Sequence, residues 1–132
     1  MNARQAVLLV DDEQLILDSL RLQIRRMGGG DLAIECANGV SEAWEVLDEL
    51  QGDGVAVVLV ISDWLMPNTR GDAFLEALKA RFPGIRRVML TGQADADALE
   101  RVRARDLVDR LLLKPWSDHD LAQVLALVRN DA

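Results

Sequence analysis

Short, unbroken apolar runs alternate along this chain with stretches whose apolar residues recur every three or four positions. The first kind suits strands buried on both faces of a sheet, and the second traces one face of a helix. The run Ala6–Val10 (AVLLV) stops at Asp11-Asp12-Glu13. Leu17, Leu20, Ile24 and Met27 then mark a helix that Gly28-Gly29-Gly30 ends. Leu32–Cys36 predicts a second, weaker strand. Ser41 is the expected cap of the next helix, with Val40, Ala43, Trp44, Leu47 and Leu50 along its apolar side. After the turn Gly52-Asp53-Gly54 comes the most apolar run, VAVVLVI, a third strand over Val55–Ile61.

The same alternation continues to the end of the sequence. Phe74, Leu78 and Phe82 predict a helix over Gly71–Phe82, broken by Pro83-Gly84. Arg87–Leu90 is a fourth strand, ended by Thr91-Gly92. Asp95–Arg105 is a helix with a thin apolar side, Leu99 and Val102. Val108–Leu113 is a fifth strand, ended by Lys114-Pro115, and Ser117 caps a last helix carrying Leu121, Val124, Leu125 and Val128. Five strands alternating with five helices call for an α/β fold, a parallel sheet covered on both faces. A length of 132 residues fits one such domain, with a core from about residue 6 to 129. The last helix runs nearly to Ala132, so no output domain is expected after it within this sequence.

Composition narrows the function. Twenty-two acids against 15 bases give a net charge of -7, which argues against a surface built for nucleic acid and suits a cation site. The single cysteine, Cys36, excludes a disulfide scaffold and points to a reducing compartment. Its expected role is a small buried apolar residue. No signal-type apolar stretch opens the chain, and none approaches the roughly 18 apolar residues of a membrane span. The cytoplasm is therefore the expected location, with no membrane partner.

In open parallel sheets, sites form beyond the carboxyl ends of strands. There the chain places Asp11, Asp12 and Glu13 after the first strand, Asp63 after the third, Thr91 at the fourth and Lys114 after the fifth. Three carboxylates at one sheet edge repel and call for a cation or a proton. A few hard oxygen ligands suit Mg2+, which also binds phosphate oxygens. A lysine neutralises a phosphoryl group as a point charge, and a threonine hydroxyl donates to its oxygens. An aspartate can itself be the nucleophile, forming an acyl phosphate.

The segments VLLVDDE, SDWLMP followed by Gly71, MLTGQ and LLLKPW stand in register at these strand ends. With them, the chain from Val7 to Val128 resembles a receiver domain of the two-component response regulators. The resemblance implies a doubly wound (βα)5 sheet in order 2-1-3-4-5. It implies Asp63 as phosphoryl acceptor, and Asp12, Asp63 and the Leu65 backbone carbonyl as Mg2+ ligands, with Asp11 acting on the metal mainly through water. Thr91 would bond the phosphoryl group and move with it, Lys114 would pair with its oxygens, and Gly92 would leave the phosphodonor an opening. The Lys114-Pro115 bond would be cis. The partners implied are a histidine kinase or phosphotransfer protein and a downstream effector or fused output domain, with a homodimer through the 95–130 face as a further implication. LTGQAD and LLLKPW are similar to receivers attached to phosphodiesterase or hybrid-kinase architectures.

Four positions depart from, or tune, the family pattern. Leu111 stands where most members carry an aromatic residue, with Trp116 the nearest aromatic. Arg70 precedes Gly71 where Asp or Asn is usual. Leu65 and Gln93 occupy the positions that tune acyl phosphate lifetime. An apolar Leu65 cannot orient an attacking water, so slow autodephosphorylation is predicted. It also counts against a phosphohydrolase, which needs an acid there, while Asp11-Asp12-Glu13 counts against a flavin phosphate loop. A receiver-like module working without phosphorylation is the remaining alternative, disfavoured because every chemical residue is present. Elsewhere plain structural roles are expected. Glu13 either faces the site or favours the first helix's positive end, His119 is a surface residue, Trp44 and Trp64 are packing or rim residues, and Arg101, Arg103, Arg105 and Arg110 form a solvated face, with a partner face as the alternative.

Overall fold

The computed structural model describes residues 4–27, 32–64, 71–92, 99, 100, 103 and 106–129. Strands β1 (Gln5–Val10), β2 (Leu32–Ala37), β3 (Ala56–Asp63), β4 (Arg86–Thr91) and β5 (Arg110–Leu113) form one parallel sheet in order β2-β1-β3-β4-β5. The described helices are α1 (Gln14–Arg26), α2 (Val40–Gly52), α3 (Gly71–Arg81) and α4 (Asp118–Arg129). The helix expected over Asp95–Arg105 falls largely outside the described residues, although Leu99 packs partly buried against the core.

Two cores explain the unbroken apolar runs. Val7 and Leu9 of β1 join Leu17, Leu20 and Ile24 of α1 and Leu121, Val124 and Leu125 of α4 on one face. Leu8 and Val10 point the other way, to Leu47 of α2 and Phe74 and Leu78 of α3. Both parities of the strand are therefore apolar, as a doubly covered sheet requires. A register shift between Ala6 and Val7 leaves Val58 of β3 without a β1 partner. The shift brings Val7 opposite Leu59 and Val10 opposite Ser62, so Asp63 follows one step beyond the end of β1.

Several boundaries differ from expectation. Ser41 is not a cap: α2 starts at Val40 with extended Gly39 as N-cap, and Glu42 reaches back to accept the Asn38 N–H at 2.8 Å. Gly52, expected in the turn, is the last residue of α2. Phe82 lies just past α3, though its N–H still donates to Leu78 O at 2.7 Å. Strand β5 starts at Arg110; just before it, Asp109 still reaches β4, its N–H donating to Arg87 O at 2.7 Å and its Oδ2 accepting the Arg87 N–H at 2.8 Å. Cys36 is only half-buried, since β2 is an edge strand, and its Sγ lies 3.0 Å from Arg21 Nη2. Ser117 does cap α4: its Oγ accepts the Asp120 N–H at 3.0 Å and its own N–H donates to Asp120 Oδ2 at 3.2 Å. Trp44 packs edge-on against Phe74, with Arg81 over its ring, and exposed His119 meets Gln123 one turn on.

Candidate phosphoacceptor and cation site

Asp63 is the last residue of β3, not the first after it, and its backbone is still paired opposite Leu90 of β4. The Trp64 N–H continues the ladder to Leu90 O at 2.9 Å. Asp11 follows β1 directly, its N–H donating to Ala37 O at 3.1 Å. The end of β2, from which the sequence promised little, thus holds the backbone of Asp11. Thr91 closes β4 opposite Leu113 and is 2 % exposed, and its carbonyl accepts the Lys114 N–H at 2.9 Å. Backbone ladders fix the start of each of these side chains.

The structure brings four of the expected side chains together. One carboxylate oxygen from each of Asp11, Asp12 and Asp63 lies within 4.8 Å of the others. Lys114 Nζ stands 3.4 Å from Asp63 Oδ1 and 3.5 Å from Asp11 Oδ2. Asp11 and Asp63 are 1 % and 6 % exposed, whereas Asp12 is open to solvent. Asp11 Oδ1 accepts the Glu13 N–H at 2.9 Å, while its buried Oδ2 has no hydrogen-bond donor. The expected Lys114-Pro115 cis bond is present. Gly92 is exposed, and a side chain there would meet Lys114 Cδ at 3.7 Å. Leu65, Arg70 and Gln93 lie outside the described residues.

The electrostatics follow from this crowding. Burial pushes the Asp11 carboxyl up to about 6, with the neighbouring Asp63 and Asp12 adding to it against the Glu13 N–H and Lys114. Burial likewise raises Asp63, and Lys114 only partly offsets it. For Lys114, burial favours the neutral amine, but the charges of Asp11 and Asp63 outweigh it and leave the ammonium raised. Two buried carboxylates held above their ordinary range, one with an oxygen lacking a donor, are a poor arrangement for a bare protein. Their hard oxygen set fits a small divalent cation such as Mg2+.

The roles of three contributors were not legible in the sequence. Glu13 is the N-cap of α1: its N–H donates to Asp11 Oδ1, and its carboxylate is among the charges that favour the Lys114 ammonium. Gln23 and Trp116 line an open depression of about 450 Å3 together with Ile16, Ser19, Gly92, Lys114 and Pro115. Gln23 carried no chemical signal in the sequence, because its role depends on which helix face meets the β5 turn.

A model of the response regulator receiver domain matches residues 7–126. The chain is 34% identical over 129 residues to a sensor kinase, CckA, of Brucella abortus, covering 92% of this chain and 12% of that protein. It is 32% identical over 128 residues to the response regulator Rre1 of Synechocystis, covering 95% of this chain and 50% of that one. The chain thus spans at most half the length of these curated relatives. Among solved structures, the signal receiver domain of an HD domain-containing protein from Pseudomonas fluorescens superposes with a TM-score of 0.84 at 25% identity, covering 98% of this chain and 90% of that one. An uncharacterized protein from Neptuniibacter caesariensis gives 0.80 at 40% identity, covering 95% and 87%. On its profile, its relatives and its sheet order together, this chain belongs to the response regulator receiver domain family of two-component signalling.

Proposed function

We propose that the chain is a phosphorylation-dependent switch in which Asp63 accepts a phosphoryl group from a histidine kinase or phosphotransfer protein. The observation that carries the reading is Lys114 Nζ lying between Asp63 Oδ1 and Asp11 Oδ2 at the mouth of the sheet. An Asp63 oxygen attacks phosphorus, the P–N bond to the donor imidazole breaks, and the imidazole leaves with that electron pair. Asp12, Asp63 and the Leu65 backbone carbonyl would hold Mg2+, with Asp11 acting on it mainly through water; when bound, the ion would supply positive charge to offset the carboxylates and the incoming phosphoryl oxygens. Lys114 turns from Asp11 and Asp63 to the phosphoryl oxygens, and the Thr91 hydroxyl donates to another. The paired movement of the β4 and β5 ends shifts the population of the partner-binding state. The domain catalyses its own phosphorylation and hydrolysis only.

Residues 1–132 act as one receiver unit with its core at about 6–129. Its relatives include a sensor kinase and transcriptional regulators, which supports an output element elsewhere in a longer protein or a separate effector. The 95–130 face, where Leu113 is 56% exposed, is the proposed contact for that element or a second copy. No helix among the described residues is long and apolar enough to cross a membrane, and the lone cysteine supports a cytoplasmic site of action.

Beryllofluoride binding tests the reading without a donor. With Mg2+ it should change the fluorescence of Trp64, the residue after Asp63, in wild type and leave Asp63→Asn unmoved. An equal response from both sinks the assignment of Asp63.

A further inference from the structure

A hydrogen-bond relay joins the end of β5 to α1 and α4. The Trp116 indole N–H donates to Gln23 Oε1, and the Gln23 amide donates to Asp118 Oδ1, each at 2.5 Å. Gln23 stands on a firmly seated helix: its neighbour Ile24 is fully buried, and Trp116 packs against the same core. Lys114 lies two residues before Trp116. Its N–H is tied to Thr91 O, but a four-carbon stem separates that tie from the ammonium. Pro115 has no N–H to fasten, so Trp116 is the next described anchor after Lys114. Ile16, Ser19 and Gln23 form one wall of the depression, and Gly92, Lys114, Pro115 and Trp116 form the other. The Gln23–Trp116 bond joins residues of these two walls.

We propose that Gln23 is a positioning residue for Lys114: through Trp116 and Asp118 it holds the turn so that the ammonium rests against Asp11 and Asp63. Two opposite consequences follow. Lys114 competes with any cation for these carboxylates, so loosening it strengthens Mg2+ binding. The same loosening slows phosphoryl transfer, because the ammonium is no longer placed for the phosphoryl oxygens. The second consequence rests on the function proposed above; the first does not.

The test uses Gln23→Met, which keeps the stem and removes both hydrogen bonds, and Trp116→Phe, which removes the indole donor. Mg2+ affinity is measured by calorimetry, labelling by acetyl phosphate at saturating Mg2+, and folding by thermal melts. The loss of one hydrogen bond predicts about threefold tighter Mg2+ binding, with labelling slowed about threefold to tenfold. A merely structural role weakens both together as the melting temperature falls. Mg2+ affinity decides: tightening in both variants supports the proposal, and no change or weakening overturns it. If wild type takes no label on Asp63, the proposed function fails while the Mg2+ result still decides the role of Gln23.

Discussion

Replacing Asp11 with Asn should stabilise the metal-free protein while impairing its site. Asp11 is 1 % exposed, and its Oδ2 lacks a donor. Its carboxyl is pushed up to about 6 from 3.8, chiefly by burial. At about 1.36 kcal/mol per pH unit, keeping it ionised above pH 7 costs the fold up to about 3 kcal/mol. The sign is that of a raised carboxylate: the stability is present below pH 3.8 and is lost as pH rises through about 6. Asn keeps the oxygen that accepts the Glu13 N–H, but it sets an amide where Oδ2 faced Lys114 at 3.5 Å. An amide N–H set against the ammonium repels it, which cuts the net gain to about 1–2 kcal/mol, or about 4–7 °C in melting temperature for a domain of this size. Melts of wild type and Asp11→Asn in EDTA at pH 7.5 and pH 4 are the assay. The variant should melt higher at pH 7.5, and the gap should close at pH 4. Mg2+ should then raise wild type more than the variant, as ligand linkage requires. A variant less stable than wild type at pH 7.5 without metal, or a gap independent of pH, would refute the reasoning.

Other expectations concern the scaffold and the lifetime of the signal. Ser117→Ala removes the α4 cap and should cost about 1 kcal/mol, a drop of about 4 °C in melting temperature, without changing labelling. Separately from the cap, the Ser117 N–H and hydroxyl hold Asp120 below the usual carboxylate range, a contribution present above the ordinary Asp pKa that fades as pH falls through the lowered one. Buried Arg87 donates to Leu107 O at 2.7 Å and Ile85 O at 3.1 Å. Arg87→Met leaves both carbonyls without these donors and should cost about 2–3 kcal/mol by urea denaturation; a loss under half that means water replaces the guanidinium. Label on the phosphorylated protein should decay slowly, because the Leu65 side chain has no group to orient water; decay within seconds contradicts this.

The legible parts of the sequence were those set by local pattern. Continuous apolar β1 and β3 announced a doubly covered sheet, and the acids at their ends announced the site, because ladder geometry carries each strand's last residue to the same edge. Boundaries failed where a side chain replaced the expected backbone partner. The Asp109 carboxylate takes the Arg87 N–H just before β5, and Glu42 serves the start of α2 where Ser41 was expected to. Cys36 failed because burial depends on strand order, which periodicity does not encode. Arg87 looked like the start of an ordinary strand, yet its guanidinium is buried against carbonyls 2 and 20 residues away. Gln23 and Trp116, 93 residues apart, share no local signal at all.

The central claim is that Asp63 carries the phosphoryl group. Wild type and Asp63→Asn are incubated with acetyl phosphate, with and without Mg2+, then reduced with borohydride, which converts an aspartyl phosphate to homoserine. Peptide mapping should find homoserine at position 63 only in wild type and only with Mg2+. Homoserine at another position, or equal phosphoryl uptake by Asp63→Asn, would contradict the account.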